Sequence, residues 1–280
     1  MSRPSTVGRT REIEPRVRRG YFECRYGQLH VHNAIPPGGG FEEGTTLLCV
    51  HGSPASGAAF ARLMPLLGRD RSVYAPDVPG FGESDPPGER PGIAEYAAAL
   101  GDFLDTMRFR QIDVLGHRDG ALITIELAIA RPKQVRRVVL ASIPVLTDSE
   151  RDLLRRSPWL QPPAEDGSHL AAMWRSVVEA RPVGASLDAL TAGFAERLRN
   201  VQGAARATDA TLRYATRARL ALVTQPVLVL RPKDELWDAT LRVRDLLPQA
   251  RILDLPDHGR DPFDTAAETL LSPLRDFLRG

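Results

Sequence analysis

Two arginines and two aspartates stand where side chains could carry out chemistry. The segment VLGHRDGALITIELA (114–128) places Arg118 and Asp119 between two glycines, where an apolar run meets a helical pattern. Asp234 follows the apolar run PVLVL, and Arg260 lies in a loop before the last helical stretch. A guanidinium stays protonated at any working pH, so neither arginine can act as a base or a nucleophile. Arginine can instead hold a carboxylate or enolate oxygen through two hydrogen bonds. If the fold brings these residues together, they could stabilise negative charge on oxygen.

Three histidines are candidates for a base. His258 lies two residues before Arg260 and is the best available base, although a loop histidine without a role is the competing interpretation. His51 and His117 flank predicted turns, where histidine is more often structural than catalytic.

The spacing of histidines and cysteines gives little support for a metal or redox site. His30 and His32 would share one face of a strand, but no third ligand lies near them in the sequence, so no metal site is predicted. Cys24 and Cys49 lack metal-ligand spacing and are expected to be reduced, packed thiols. No cofactor is predicted.

The elements that must position these residues alternate between strands and helices. A hairpin is predicted at 21–34, where apolar and polar residues alternate around a glycine. Short apolar runs, typical of strands buried on both faces, lie at 45–50, 72–76, 111–116, 135–142, 226–230 and 250–256. Helical patterns lie between them at 57–68, 93–108, 119–131, 238–247 and 263–279. This alternation predicts an α/β fold with a mostly parallel, twisted sheet and its sites at the carboxyl ends of the strands.

One segment interrupts the alternation. Between residues 143 and 225 the patterns are helical, which favours an inserted lid over the site. The predicted organisation is a flexible N-terminal arm at 1–20, a core formed by 21–144 and 221–280, and a helical lid at 145–220. The loop at 36–44, rich in proline and glycine, is also expected to be flexible.

Several motifs in order resemble the α/β-hydrolase superfamily, in particular its lidded branch of esterases, epoxide hydrolases, dehalogenases and carbon–carbon bond hydrolases. They are CVHGSPASG (49–57), DVPGFGESD (77–85), the segment 114–128, PVLVLRPKDEL (226–236) and LDLPDHGRDPF (253–263). The segment 114–128 resembles the family's nucleophile elbow, whose usual form is G-x-S-x-G. The resemblance covers about residues 21–280 and implies an α/β-hydrolase fold with an inserted helical lid.

The resemblance also implies roles for individual residues. Arg118 stands at the position of the nucleophile, Arg260 at that of the catalytic histidine and Asp234 at that of the acid. The backbone N–H groups of Ser53 and Asp119 would form the oxyanion hole. His51 and Gly52 belong to the loop that presents the first of these donors.

Catalysis through an enzyme ester is disfavoured. A serine acyl-enzyme is excluded because an arginine occupies the apex. An alkyl-enzyme on Asp119 is disfavoured because the side chain one residue after the apex is expected to point away from the pocket, toward the helix. Tyr26, Trp174 and Tyr214 could line the pocket, although packing is the competing interpretation for each.

Three functions remain open. The first is non-hydrolytic chemistry on a small anionic or enolisable molecule, such as cyclisation, decarboxylation, elimination or isomerisation. It rests on the expectation that two arginines face one aspartate, Asp234, and leave a surplus of positive charge. The others are a non-catalytic ligand-binding protein and a hydrolase with non-standard water activation. Decay of a former hydrolase could also produce both arginines, because nearly all positive charge in this chain is arginine.

Composition excludes some partners. With 42% hydrophobic and 26% charged residues the chain can bury a full core, and its net charge of +2 is scattered, which argues against nucleic acid. No apolar run is long enough to predict a membrane span or a signal peptide, so a cytoplasmic protein is expected. The sequence does not determine the oligomeric state.

Overall fold

An eight-stranded sheet forms the centre of the molecule. The computed structural model describes residues 14–39, 44–88, 90–181 and 186–280. The strands are β1 Arg18–Cys24, β2 Gly27–Ala34, β3 Gly44–Val50, β4 Arg71–Pro76, β5 Ile112–His117, β6 Val135–Ala141, β7 Val227–Pro232 and β8 Arg251–Leu255. Their spatial order is β1-β2-β4-β3-β5-β6-β7-β8, with β1, β2 and β4 pairing antiparallel and all later pairs parallel. The predicted hairpin and mostly parallel sheet are confirmed.

Helices cover both faces of this sheet. They are α1 Leu63–Leu67, α2 Ile93–Thr106, α3 Asp119–Ala130, α4 Asp148–Arg155, α5 Ser168–Glu179, α6 Leu187–Arg199, α7 Val201–Arg213, α8 Thr216–Leu220, α9 Trp237–Leu241, α10 Val243–Leu246, α11 Pro262–Thr265 and α12 Ala267–Arg279. One apolar cluster packs α2 and α3 against one face, and a second packs α1 and α12 against the other. Strands β5 and β7 are therefore buried along their whole length, as their apolar sequences predict.

The segment between β6 and β7 is helical throughout its regular structure. It contains α4 to α8 within residues 145–220, which we call the helical insertion. Helix α4 has no fully buried residue, although its last turn contains an apolar pair, Leu153 and Leu154. The insertion contributes a wall to the cavity described below.

The first strand begins earlier than expected. β1 starts at Arg18, inside the predicted arm of residues 1–20, and residues 1–13 of that arm lie outside the described residues. The predicted flexible loop at 36–44 is described except for residues 40–43. Cys24 and Cys49 are unpaired, and burial raises the pKa of both thiols. Among the described residues, no helix combines the length and apolar character that crossing a bilayer requires.

The junction between β5 and α3 is the most tightly packed turn near the site. A Cβ at Gly120 would meet the carbonyl oxygens of Val50 and His51 well inside van der Waals distance. A Cβ at Gly116 would meet the Gly120 carbonyl oxygen at 2.5 Å. Both glycines are therefore required for α3 to begin directly against the end of β3.

We expect Gly120→Ala to lower the free energy of unfolding by about 3 kcal/mol, because the backbone of β3 must move to admit the methyl group. Gly193→Ala is a matched control, since Gly193 lies within α6 and a Cβ there would meet nothing within 4 Å. The control should raise stability by up to about 1 kcal/mol, the difference in helix propensity. Urea unfolding measures both changes, and equal effects would show that the junction is not tightly packed.

Candidate active site

Arg118 lies at the sharp turn between β5 and α3. Its backbone has φ 58° and ψ −124°, a strained conformation for a residue with a side chain. The turn is fixed by the N–H of Arg118, which donates to the carbonyl of Ala141 at 2.9 Å. The predicted position of Arg118 is confirmed, and its side chain is only 16% exposed.

A glutamate joins the two arginines. The Nη2 of Arg118 donates to Oε1 of Glu235 at 2.6 Å, and Nη2 of Arg260 lies 2.8 Å from the same oxygen. Asp234 reaches only Arg118, with Oδ2 3.5 Å from Nη1. The expectation that Asp234 is the only carboxylate between the arginines is wrong, because the longer side chain of Glu235 spans the gap.

Asp234 is held beneath this bridge by other donors. Ser142 Oγ donates to its Oδ2 at 2.7 Å, and the N–H of Leu236 donates to Oδ1 at 2.9 Å. Burial raises the pKa of Asp234, and the attraction of Arg118 opposes this rise without cancelling it. Asp234 therefore keeps the position that the resemblance assigns to the acid, but its oxygens are already engaged.

Carboxylates offset the positive charge of this cluster. Burial would raise the pKa of Glu235, but the attraction of Arg118 and Arg260 outweighs it and lowers the pKa to about 2. Repulsion by Arg118, together with burial, lowers the pKa of Arg260 to about 10, so both guanidiniums stay charged at neutral pH. Two cations thus face Asp234 and Glu235, and the carboxylate of Asp119 also acts on Arg118. The predicted surplus of positive charge is wrong because it left Glu235 out.

Asp119 turns toward the loop after β3. Its Oδ1 accepts a hydrogen bond of 2.7 Å from the N–H of Ser53, and its own backbone N–H also favours the ionised form. The expectation that this side chain points away along the helix is wrong. The first turn of α3 and Ser53 together offer free N–H donors, and a carboxylate satisfies them. The two N–H groups that the resemblance assigns to an oxyanion hole therefore already hold a carboxylate.

Burial raises the pKa of Asp119, while the Ser53 N–H and the charge of Arg118 work against the rise. A Cβ at Gly52 would lie 2.7 Å from Arg118 Cβ and 3.0 Å from Asp119 Oδ1. Glycine at position 52 is therefore needed for both side chains to occupy the site.

A cavity of about 390 Å³ lies over these groups. Arg118, Asp119, Glu235 and Arg260 form its polar side, together with Ser53. The helical insertion supplies apolar walls, including Leu153, Leu154, Trp159 and Leu160. A second cavity of about 650 Å³ lies beside it, and Arg260 lines both. A small apolar molecule with one polar group matches the lining of the first cavity.

The candidate histidines are not placed as bases. Nε2 of His51 accepts the N–H of Val78 at 2.8 Å, so its ring supports a loop, and burial lowers its pKa. His117 is buried beside the second cavity, where burial and then the charges of Arg118 and Arg260 lower its pKa well below the usual value. His258 lines neither cavity. The prediction of His258 as the best base is not supported by its position.

The predicted aromatic residues also lie elsewhere. Trp174 packs against Phe194 with ring centroids 5.3 Å apart, and the hydroxyl of Tyr214 donates to Glu126 at 2.7 Å. Tyr26 lies at the turn between β1 and β2. None of the three lines either cavity, whereas Trp159 lines the first. The sequence shows which residues are aromatic but not which face of the insertion meets the sheet.

His30 and His32 have a third potential ligand after all. Asp77 lies 2.8 Å from Nδ1 of His30 and 3.5 Å from Nε2 of His32, and the three groups lie close enough to hold a metal ion. The oxygens of Asp77 already accept the N–H groups of Gly57 at 2.7 Å and Glu83 at 3.0 Å. These hydrogen bonds explain the cluster as a structural one that holds the loop after β4 in place.

Acid should remove the stabilisation that Glu235 provides. The pKa of Glu235 is lowered from 4.5 to about 2, so its contribution is present above pH 4.5 and is lost as the pH falls toward 2. We expect Glu235→Gln to lower the free energy of unfolding at neutral pH by about 1 kcal/mol, because water screens a side chain that is 49% exposed. The difference from the parent protein should shrink below pH 4.5 in urea unfolding.

Glu268→Gln is the control for this experiment. Glu268 pairs with Arg62 at 3.2 Å on the surface, where both side chains are more than half exposed. Its replacement should change stability little at any pH. A Glu235→Gln variant as stable as the parent at neutral pH would show that the bridge contributes nothing.

Comparison with known proteins agrees with this architecture. A family model described as the alpha/beta hydrolase fold matches residues 45–171. The 2-hydroxy-6-oxo-2,4-heptadienoate hydrolase of Pseudomonas putida is 37% identical over 101 residues, 35% of this chain and 37% of that protein. The 2-hydroxymuconate semialdehyde hydrolase of Pseudomonas sp. strain CF600 is 40% identical over 106 residues, 35% of this chain and 36% of that protein. These matches span little more than a third of the curated relatives.

Solved structures match nearly the whole chain. A hydrolase from Pseudomonas aeruginosa superposes with a TM-score of 0.76 at 22% identity, covering 94% of this chain and 98% of that one. The enol-lactonase from Burkholderia xenovorans also gives a TM-score of 0.76, at 16% identity, over 93% of this chain and all of that one. At such identities the likeness shows the architecture alone.

Proposed function

We propose, starting from the α/β-hydrolase fold that this chain has, that it converts a small enolisable carbonyl compound without forming an acyl-enzyme. Arg118 and Arg260 stand where the resemblance places the nucleophile and the catalytic histidine. Neither can take those roles, since a guanidinium has no lone pair to share and does not release its proton.

One observation carries this proposal: Glu235 ties the two guanidiniums together on the polar side of the cavity, at 2.6 and 2.8 Å. This arrangement fixes two cations where a substrate oxygen would enter. Such preorganised donors stabilise charge that develops on oxygen during a reaction. Because Glu235 and Asp234 balance the arginines, the cluster has no need of a ligand that is already anionic.

The walls of the cavity suit the same chemistry. Leu153, Leu154 and Trp159 come from the helical insertion, which acts in this proposal as a lid that excludes water. The relatives are named for 2-hydroxy-6-oxo-dienoate and semialdehyde substrates, which contain enol and carbonyl groups. An enolate would be attracted to Arg118 more strongly than its parent carbonyl, which is the condition for catalysis.

The parent protein should lack serine hydrolase activity. We expect no labelling by a fluorophosphonate probe and no turnover of p-nitrophenyl acetate, because an arginine stands at the apex of the turn. Ser56 donates its hydroxyl to Glu196 at 2.7 Å, but a glutamate is a weak base and the pair lines the second cavity, away from Ser53. The double variant Arg118→Ser/Arg260→His should stay inactive, because Asp119 still occupies the donor N–H of Ser53. Adding Asp119→Ala should free that donor and produce esterase activity. Labelling of a serine in the parent, or equal activity of the double and triple variants, would contradict this.

Enolate chemistry can be followed by hydrogen exchange. We expect the protein to replace the α-protons of acetophenone or 2-oxopentanoate by deuterium in D₂O, measured by proton NMR. Arg118→Met should slow this exchange by about a hundredfold, the scale of losing one charge-stabilising donor. Binding without exchange in the parent would favour a non-catalytic ligand-binding protein. Exchange unchanged in Arg118→Met would show that Arg118 is a remnant of a lost activity.

A further inference from the structure

Asp119 has one oxygen engaged and one free. Oδ1 accepts the Ser53 N–H at 2.7 Å, whereas no other residue that the structure describes donates a hydrogen bond to Oδ2. The carboxylate lines the 390 Å³ cavity beside Arg118. A bound molecule would therefore meet an oriented carboxylate oxygen and a guanidinium on the same wall.

The surroundings make this carboxylate a stronger base than one in water. It is partly buried between the turn at Arg118 and the loop that carries Ser53, with Tyr96 of α2 and His51 behind it. The hydroxyl of Tyr96 is buried and has no hydrogen-bond partner among the described residues, so it does not stabilise the anion. Burial raises the pKa of Asp119 for this reason, and a raised pKa improves proton acceptance from carbon.

Asp119 cannot serve acyl transfer in this position. An acyl-transfer intermediate would place a second negative oxygen at the N–H that Asp119 already occupies, and two anions at one donor repel each other. A proton on its way to the carboxylate has the opposite effect, because it neutralises the charge held there.

We propose that Asp119 is the catalytic base of this site, which rests on the proposed function. Oδ2 removes a proton from the carbon next to the substrate carbonyl. The C–H bond breaks, an O–H bond forms on Asp119, and the electron pair moves through the carbon–carbon bond to the carbonyl oxygen. Arg118 holds that oxygen as the enolate. The proton then returns to another carbon, or the electron pair expels a β-substituent.

A nucleophilic role for Asp119 fits the cluster less well. Attack on an alkyl carbon would leave an ester that only an activated water could cleave. Glu235 is a poor base for that water, since Arg118 and Arg260 lower its pKa to about 2, and His258 lines neither cavity. An ester on Asp119 would therefore persist, whereas a transferred proton is released after each turnover.

The neutral compound 5-nitrobenzisoxazole tests the base directly. A carboxylate removes its ring proton, the nitrogen–oxygen bond breaks as a nitrile forms, and the coloured phenolate is released. We expect the parent protein to accelerate this reaction above the rate given by acetate. Asp119→Asn should lower the rate at least a hundredfold, the usual contribution of general-base catalysis. Asn still accepts the Ser53 N–H, so the variant should fold and bind the compound.

Two further variants sharpen the test. Asp119→Ala should lose the reaction and regain part of it when formate is added, because the vacated N–H can hold that anion. Asp276→Asn, on the exposed face of α12, should react like the parent. The proposal is overturned if the parent protein does not accelerate the reaction beyond the rate with acetate, or if Asp119→Asn reacts as fast as the parent. It is also overturned if Asp119→Asn no longer binds 5-nitrobenzisoxazole. Acetophenone exchange that depends on Arg118 but survives Asp119→Asn would refute the base alone and leave the proposed function standing.

Discussion

The close approach of the β5–α3 turn to the end of β3 is the constraint on which the site depends. Only glycine at 120 lets α3 begin against the carbonyl groups of Val50 and His51. This contact brings the N–H of Ser53 within 2.7 Å of the Asp119 carboxylate and forces Arg118 into a positive φ at the apex. Two chain segments far apart in sequence cannot separate here, so a guanidinium and a carboxylate lie on one wall of the cavity.

Burial of arginine alone does not mark a functional site in this chain. At the opposite end of β5, Arg136 makes two hydrogen bonds to Asp113, at 2.9 and 2.6 Å, and Arg71 lies 3.5 Å from the same carboxylate. That cluster is as charged as the one around Glu235, but it borders none of the cavities described here. The arginines at the carboxyl edge differ because they face a space that a molecule can enter. Decay of a hydrolase explains their origin as well as selection does, but it does not explain why Glu235 holds both in one fixed geometry.

Sequence patterns predicted the parts of this structure that local chemistry determines. Six apolar runs marked β3 to β8, the alternating pattern around a glycine marked the hairpin of β1 and β2, and the glycines of segment 114–128 marked the turn at Arg118. The errors concern the directions of side chains in loops and in the insertion. The direction of the Asp119 side chain is set by N–H donors that come together only in the folded chain. Glu235 can bridge the arginines only because folding brings the loop after β7 against the turn after β5. Trp159 rather than Trp174 lines the cavity because helix facing depends on packing against the core.

The same two backbone donors can serve opposite chemistries. In acyl transfer, an oxyanion hole is empty in the resting protein and gains value as negative charge arrives on the substrate. In this chain a carboxylate already fills the donor of Ser53 before any ligand binds, so the negative charge there is greatest at rest and falls when a proton is accepted. In the proposed reaction, these donors fix the orientation of the base, while Arg118 receives the charge that develops on the substrate. Under the proposed function, an arginine at the apex and a carboxylate at the donors are consistent with each other, because an empty oxyanion hole is useful only when an acyl group is transferred.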